Sequence, residues 1–223
     1  MYRIYLYSIF LFAHLFAQEN LGLSFVQNLT GDDLNTERDQ WDQVYQRKKG
    51  YVFGKQPAPF LAENIKLLPI GFALDLGMGE GRNSVYLAKK GFFVEGVDIS
   101  HVAIIKAKKL ALENRVQIKT TVADLRTFAI PKHRYNLIID FYFLDRALFT
   151  QVKNSLLSGG VFVFEGYIVD QLKLEPTLSK DLLLEKGELK KVFEGWKILK
   201  YEEGLLKSGS DKKHIVRMIA KKP

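Results

Sequence analysis

The sequence has no cysteine and only four histidines among its 223 residues. Without cysteine, the chain can form no disulfide, has no thiolate nucleophile and cannot bind a metal through sulfur, although either redox compartment remains open. The histidines are spread along the chain without the spacing of a metal-ligand set. They are His14, His101, His133 and His214. We therefore predict no metal site.

The sequence also lacks internal repeats, low-complexity tracts and segregated charge. Its 47% hydrophobic and 26% charged residues are typical of a globular protein. A length of 223 residues suits about one domain of 150–200 residues with a short extension. The net charge of +8 would suit nucleic acid, but basic and acidic residues alternate along the chain. The densest basic stretch, residues 207–222, has no aromatic residue to stack on bases, so we expect a solvated basic surface and no nucleic-acid binding.

The apolar run at residues 4–16 is too short for a transmembrane helix, which needs about 20 apolar residues. It follows Arg3 and ends before Ala17, the order of a signal peptide, although Leu15 stands where a small residue is usual. Residues 1–17 are therefore predicted to be a signal-like or anchoring segment, which would allow membrane contact through residues 4–16. The alternative is an extension without a role in the folded protein.

Residues 18–40 are polar and are interpreted as a linker, so the folded domain is predicted at residues 41–223. A short helix is expected from Trp41, followed by an irregular aromatic stretch at residues 51–59 and a second helix that Pro69 stops. The aromatic residues of this region either form a flap over a ligand or cover one edge of the core. Both interpretations remain open.

After residue 72, short apolar runs alternate with helical patterns. Such alternation indicates a parallel sheet with helices on both faces. The predicted strands are 72–76, 92–98, 116–122, 135–140 and 161–164, with helices at 81–90, 100–113 and 145–157, a helical stretch around 179–193, and hairpin strands at 196–206 and 214–220. The predicted fold is α/β, a doubly wound, mostly parallel seven-stranded sheet that ends in an antiparallel hairpin.

The first predicted strand runs into three alternating glycines, Gly77, Gly79 and Gly81. Glycine permits positive φ and lets the backbone approach a ligand, and the N–H groups that begin the next helix favour polar or anionic groups. The sequence therefore predicts a ligand-binding turn. A dinucleotide would want Gly-x-Gly-x-x-Gly, but the third glycine comes one residue early and Arg82 occupies its place, which argues against a dinucleotide.

Four aspartates, Asp75, Asp98, Asp124 and Asp140, stand at the ends of predicted strands or just after them. The carboxyl ends of parallel strands line the ligand crevice, so these side chains should converge beside the glycine turn. Asp98 lies about 20 residues beyond the glycines, where a carboxylate can accept from both hydroxyls of a ribose. Each aspartate alone could be a helix cap or a loop residue, but the four together favour a site.

The stretch from Asp75 to Ala88, with Gly91-Phe92-Phe93-Val94 and Val97-Asp98-Ile99-Ser100, resembles the first two motifs of class I S-adenosylmethionine-dependent methyltransferases. Gly-Arg-Asn-Ser after the glycines is similar to the tellurite-resistance and thiopurine methyltransferase-like branch. The resemblance covers about residues 41–221 and implies S-adenosylmethionine as the cofactor. Met78 departs from the small residue or cysteine common there, which a turn lined by backbone should tolerate.

By position, the resemblance implies that Asp75 and the Gly77–Gly81 backbone surround the methionine portion of the cofactor. Asp98 would hold the ribose and Ile99 would pack on the adenine, which Asp124 and Leu125 would border, while Asp140 would lie near the sulfonium. The implied cofactor-binding residues are Asp75, Gly77, Met78, Gly79, Gly81, Asn83, Asp98, Ile99, Asp124, Leu125 and Asp140.

Methyl transfer from a sulfonium is an in-line displacement, for which alignment and exclusion of water matter most and a base is optional. Tyr142 and Tyr51 are candidates to orient or deprotonate an acceptor, although both could simply pack, and the catalytic residues stay unassigned. The fourth strand ends Asp140-Phe141-Tyr142-Phe143, unlike the Pro-Pro motif of base and amide methyltransferases, which favours a small-molecule acceptor.

Two other functions stay open, namely an RNA or protein methyltransferase that uses the basic surface, and a catalytically silent cofactor-binding regulator. Because export would separate an enzyme from its cofactor, a cytoplasmic location is expected. Membrane association through residues 4–16 and export by a signal peptide are the alternatives. The sequence does not distinguish a monomer from a dimer.

Overall fold

The computed structural model describes residues 37–208 and 211–223. The predicted segment 1–17 and the linker up to residue 36 lie outside the described residues. The first described helix begins at Glu37, so the last four residues assigned to the linker are helical. Within the described ranges, no helix combines the length and the apolar composition needed to cross a bilayer.

The described residues form helices and strands in the predicted alternation. In chain order they are α1 (Glu37–Gln46), α2 (Pro59–Glu63), β1 (Phe72–Leu76), α3 (Arg82–Lys89), β2 (Phe93–Asp98), α4 (His101–Glu113), β3 (Lys119–Val122), β4 (Tyr135–Phe141), α5 (Arg146–Ser155), β5 (Leu156–Tyr167), α6 (Glu188–Val192), β6 (Lys197–Ser208) and β7 (Asp211–Lys221). Single 3₁₀ turns occur at Ile65–Leu67, Val169–Lys173 and Lys180–Leu182.

The seven strands of the described chain form one sheet in the order β3-β2-β1-β4-β5-β7-β6. Strands β1 to β5 pair in parallel, and β7 runs antiparallel to both of its neighbours. The predicted fold class is therefore confirmed. The chain order reverses between β1 and β4, and in an open α/β sheet this reversal places a crevice at the carboxyl ends of those strands.

The centre of the sheet is buried on both faces. In β4, Leu137 and Ile139 pack into one apolar cluster and Ile138 packs into the other, and all three are fully buried. Helices cover both sides of a parallel sheet, so its central strand is apolar without the alternation of a half-exposed strand. This explains the continuous apolar run in the sequence.

Several predicted boundaries differ from the structure. Strand β5 extends from the predicted 161–164 to Leu156–Tyr167 because it pairs with β4 on one side and β7 on the other. The predicted helical stretch at 179–193 is a 3₁₀ turn followed by the short helix α6, which begins after Gly187 in the left-handed conformation. Strand pairing in the hairpin continues to Ser208 and Asp211, beyond the predicted ends.

Candidate functional site

The glycine turn between β1 and α3 requires glycine for two reasons. Gly77, Gly79 and Gly81 have φ of 66°, 51° and 80°, in the left-handed region that side chains disfavour. A Cβ on Gly79 would lie 2.9 Å from the hydroxyl of Tyr45, and one on Gly81 would lie 2.8 Å from the Cβ of Ala107. The turn is therefore packed on both sides as well as conformationally restricted.

Met78, the departure from the family pattern, is accommodated by a second glycine. A Cβ on Gly96 would lie 2.2 Å from the Met78 sulfur, so the absence of a side chain in β2 makes room for the methionine. Met78 is buried beside Ile104 and Ala107. The large residue thus fills the space beneath the turn.

Asp98, the last residue of β2, joins the glycine turn to the beginning of α4. Its Oδ2 accepts a hydrogen bond from the backbone N–H of Gly79 at 2.7 Å, and its Oδ1 accepts from the N–H of Ser100 at 2.8 Å. Burial raises the pKa of Asp98 to about 6, while these N–H donors favour the carboxylate. The structure thus places Asp98 in direct contact with the glycine turn.

Asp75 and Asp140 are buried behind the turn. The hydroxyl of Ser84 donates to Oδ2 of Asp75 at 2.6 Å, which ties the first turn of α3 to β1. Burial raises the pKa of Asp75 to about 7 and that of Asp140 well above its usual value, and the negative charge of Asp75 adds to the effect on Asp140. Asp140 also accepts from the N–H of Phe143 at 3.2 Å.

A cleft opens at the carboxyl ends of β1, β2 and β4, next to the glycine turn. It is lined by Glu37, Trp41, Tyr45, Phe53, Gly54, Gly77, Met78, Gly79, Glu80, Arg82, Asn83, Asp98, Ile99, Ala123, Asp124, Leu125, Phe141, Tyr142 and Phe143. The structure thus brings most of the sequence-predicted cofactor residues to one cleft. Asp75, Gly81 and Asp140 are buried and are not among the lining residues.

Two polar residues of the cleft are held in place, Asn83 by a distant part of the chain and Asp124 by a side chain two residues away. Asn83 accepts the N–H of Ala58 at 2.8 Å through Oδ1, which fixes the segment before α2. Asp124 is bound by the guanidinium of Arg126, which lowers the pKa of this carboxyl, and Arg126 also reaches Glu37 at 2.5 Å. The start of α1 is thereby fastened to the wall of the cleft.

Tyr142, a candidate from the sequence, lines the cleft while its hydroxyl is engaged in a buried network. The hydroxyl donates to Oε1 of Glu165 at 2.5 Å and lies 2.8 Å from Ser208 Oγ. The N–H of Tyr142 donates to the backbone oxygen of Glu165 at 2.7 Å, and Tyr142 has a φ of 66°. Glu165 in turn pairs with Arg217 at 2.8 Å. Burial raises the pKa of Tyr142 well above its usual value, which disfavours a phenolate at this position.

Tyr51, the other candidate, is not among the residues that line the cleft. It packs against the cluster of Val85 and Leu110, and its hydroxyl lies 3.4 Å from the backbone oxygen of Lys106. The Lys55 ammonium stands 4.8 Å from the centre of its ring. The structure therefore places the two candidate tyrosines in different environments.

Three aromatic side chains, none of them among the site residues predicted from the sequence, cover the cleft. The ring centroids of Trp41 and Tyr45 are 5.8 Å apart, and those of Tyr45 and Phe53 are 6.0 Å apart. These three rings line the cleft while Tyr51 covers the core, so both interpretations of the aromatic region hold for different residues. The i, i+4 spacing of Trp41 and Tyr45 in a helix was the available signal.

No cluster of three His, Cys, Asp or Glu side chains suited to a metal occurs in the part of the chain that the structure describes. The polar side chains of the lining residues are four carboxylates, the Asn83 amide, the Arg82 guanidinium, the hydroxyls of Tyr45 and Tyr142, and the indole of Trp41. Such a set can hold a polar organic molecule whose hydroxyl or amino groups donate to carboxylates.

Comparison with known proteins assigns the chain to a family. The sequence profile of the family described as tellurite resistance protein TehB matches residues 42–217. A curated relative, the probable S-adenosyl-L-methionine-dependent methyltransferase TehB of Haemophilus influenzae, is 26% identical over 140 residues, which cover 59% of this chain and 48% of that protein. Hemagglutinin 1 of Eikenella corrodens is 25% identical over 164 residues, 67% of this chain and 54% of that protein. The chain thus spans about half the length of these relatives.

Solved structures show the same fold. The crystal structure of TehB from Haemophilus influenzae superposes with a TM-score of 0.63 at 22% identity, over 83% of this chain and 67% of that one. A putative S-adenosylmethionine-dependent methyltransferase from Listeria monocytogenes gives a TM-score of 0.59 at 16% identity, over 74% of this chain and 98% of that one.

Proposed function

We propose, from the premise that this chain belongs to the TehB tellurite resistance protein family, that it transfers a methyl group from S-adenosylmethionine to a small-molecule acceptor. The observation that carries the proposal is the position of the buried Asp98 carboxylate, at the end of β2 and in contact with the glycine turn. The family match over residues 42–217 and the relative described as a probable methyltransferase support it.

The residues of the cleft fit the cofactor. A carboxylate offers about four acceptor positions, and Gly79 and Ser100 donate to Asp98 from one side, so capacity remains for the hydroxyls of a ribose. Ile99 and Leu125 supply apolar surface for the adenine, and the backbone around Gly77 can approach the methionine portion closely. Asp75 and Asp140 would then act by supporting the turn from behind.

The cofactor supplies an electrophilic methyl group, which the acceptor attacks. Positive charge is lost in the reaction, so the protein favours it by aligning the acceptor and by excluding water. Trp41, Tyr45 and Phe53 cover the cleft on the side of α1, and Phe143 packs over Gly77 on the other side. These aromatic side chains are the residues that we propose to keep water from the reacting groups.

An acceptor that carries negative charge is favoured by the cations near the cleft. Arg82 lines it, and its charge is close enough to Lys213 to lower the pKa of that amine, although burial is the larger cause. Lys213 stands 5.8 Å from the ring centre of Tyr142, another lining residue. Arg82 and Lys213 are therefore the two cations that we propose to attract a small oxyanion or carboxylate, in a cleft whose other charged lining residues, Glu37, Glu80, Asp98 and Asp124, are acidic.

The test is an acceptor screen with the full chain. Oxyanions including tellurite, thiols, amines, carboxylates, RNA and a mixture of proteins are each incubated with S-adenosylmethionine, and S-adenosylhomocysteine is measured. We expect turnover with a small anion and micromolar cofactor binding. Absence of cofactor binding would overturn the proposal. Turnover with RNA or protein alone would show that the acceptor is a macromolecule and would overturn the proposed small-molecule acceptor.

A catalytically silent regulator is distinguished by the same experiment, because it would bind the cofactor without turnover in any arm. An RNA methyltransferase is distinguished by salt. Its binding to RNA should fall steeply between low and moderate salt as counterions are released, whereas methylation of a small acceptor should depend only weakly on salt.

A further inference from the structure

Glu80 lies within the glycine turn and is buried, yet its carboxylate binds a distant part of the chain. Its Oε2 accepts the backbone N–H of Val52 at 2.6 Å and that of Phe53 at 3.2 Å. Both donors belong to residues 41–54, which we call the aromatic segment. The glycine turn is thus hydrogen-bonded to the C-terminal end of the aromatic segment, whose rings cover the cleft.

Lys106, in α4, forms an ion pair with Glu80 and also donates hydrogen bonds to the aromatic segment. Its Nζ lies 2.9 Å from Oε1 of Glu80. It also donates to the backbone oxygens of Tyr45 at 2.5 Å, Lys48 at 3.0 Å and Gly50 at 2.7 Å. An ammonium has three N–H donors, and these four oxygen atoms are enough to accept hydrogen bonds from all three. The Lys106 ammonium therefore has a protein partner for each of its donors.

The ion pair is well shielded from water, since 17% of the Lys106 side chain and 2% of the Glu80 side chain are exposed. A buried charge that loses its partner is strongly unfavourable, whereas surface pairs contribute little. Residues 47–54 have neither helix nor strand to hold them. Their path is therefore set by contacts such as these.

The contacts connect three structures around the cleft. Glu80 belongs to the glycine turn, Lys106 to the helix that follows Asp98, and the carbonyl and N–H partners to the segment that carries Tyr45 and Phe53. Asp42 adds a second attachment, because its Oδ1 accepts the N–H of Val102 at the start of α4. Movement of the segment away from the cleft would expose the ion pair.

We propose that Lys106 is a positioning residue which, through Glu80, holds the aromatic segment over the cleft and thereby strengthens cofactor binding. This inference rests on the proposed function, in which the cleft holds S-adenosylmethionine. A ligand covered by Tyr45 and Phe53 stabilises the aromatic segment in its position over the cleft. Coupling is reciprocal, so the ion pair, which stabilises the same position, strengthens ligand binding by the factor by which the ligand stabilises the ion pair.

The chain offers an internal reporter of the segment. It has two tryptophans, Trp41 in the segment and Trp196, which packs against Phe193 in the core. A Trp196→Phe background leaves Trp41 as the single tryptophan, and acrylamide quenching of the selectively excited tryptophan fluorescence then measures its exposure. Lys106→Met removes the ammonium, and Lys108→Met, at an exposed position of the same helix, is the matched control.

We expect Lys106→Met to weaken binding of S-adenosylhomocysteine, measured by calorimetry, by about 5- to 150-fold, the usual range of coupling between sites. Trp41 should be quenched more strongly in the free Lys106→Met protein and should regain protection at saturating ligand. Lys108→Met should match the background protein in both measurements. Glu80→Gln keeps one oxygen that can accept from the N–H groups of the aromatic segment. Its affinity for S-adenosylhomocysteine should lie between those of the background protein and Lys106→Met.

Equal affinity and equal quenching in Lys106→Met and the background protein would overturn the inference while leaving the proposed function intact. A background protein that binds no S-adenosylhomocysteine would overturn the proposed function and the coupling together. If Lys106→Met does not fold, Glu80→Gln carries the same comparison, and unchanged affinity there counts against the inference.

Discussion

The backbone N–H of Gly79 donates to Oδ2 of Asp98 at 2.7 Å, so the glycine turn and the end of β2 share one buried carboxylate. The same carboxylate accepts the N–H of Ser100. The N–H groups of Gly79 and Ser100 thus both have the Asp98 carboxylate as their hydrogen-bond acceptor. Replacement of Asp98 should therefore affect the shape of the turn as well as ligand binding.

Asp98→Ala should abolish measurable binding of S-adenosylhomocysteine and should lower the free energy of unfolding by about 1–3 kcal/mol, because two buried N–H donors lose their acceptor. Calorimetry and chemical denaturation measure the two effects. Glu113→Ala, at an exposed position of α4, removes one negative charge elsewhere and should leave binding unchanged. Retained affinity in Asp98→Ala would show that this carboxylate does not hold the ligand.

Gly79→Ala tests the second constraint on the turn. Its φ of 51° disfavours alanine, and the new Cβ would lie 2.9 Å from the Tyr45 hydroxyl. We expect a loss of more than about 1 kcal/mol of stability together with weaker cofactor binding. Gly195→Ala is the control, since it has a φ of 81° and open space around the Cβ.

The contact with Tyr45 can be separated from the strain at Gly79. Tyr45→Phe removes the hydroxyl that the new Cβ would meet, so the double variant Gly79→Ala, Tyr45→Phe should recover part of the stability lost in Gly79→Ala. The remaining loss should be similar to that of Gly195→Ala. A double variant no more stable than Gly79→Ala would show that the close contact is not the cause.

The stability of the protein should fall as pH rises from about 5 to about 8. The folded-state pKa of Asp75 is raised to about 7 and that of Asp98 to about 6. The folded protein therefore binds more protons than the unfolded chain in this range, and stability decreases with rising pH. Asp124 and Glu95, whose pKa values are lowered, act at lower pH and in the opposite direction.

Asp75→Asn should reduce this pH dependence, because an amide does not ionise and its oxygen can still accept the Ser84 hydroxyl. Denaturant unfolding at several pH values measures the change. The cofactor-free chain is the right sample, since a ligand would add its own proton linkage. A pH profile that Asp75→Asn leaves unaltered would contradict the assignment to Asp75.

Arg217→Met should destabilise the protein by about 3–5 kcal/mol, because it leaves the buried Glu165 carboxylate without its cation. Lys55→Met removes the cation of an exposed pair, and we expect little change from it. Thermal unfolding of both variants is the measurement. Since Glu165 also holds the Tyr142 hydroxyl and backbone, Arg217→Met should disturb the cleft even though Arg217 lies outside its lining.

Much of the fold was predictable because it depends on near neighbours in the chain. Strand β1 and helix α3 differ from their predicted bounds by at most one residue at each end, since apolar period and turn residues define them locally. Strand β5 was predicted too short because its length depends on the partners β4 and β7. The role of residues 1–17 and the cellular location stay predictions.

The sequence by itself determined the doubly wound sheet and the glycine turn, because these follow from spacing within short stretches, and the resemblance of residues 75–100 to known motifs indicated the family. Only the tertiary structure decided which acidic side chains line the cleft and which support it, since β1 and β4 bury Asp75 and Asp140 behind the turn. It also decided that Lys106 donates hydrogen bonds to a segment more than 50 residues away in the chain. A contact at that distance is set by the packing of whole helices, which no local pattern specifies.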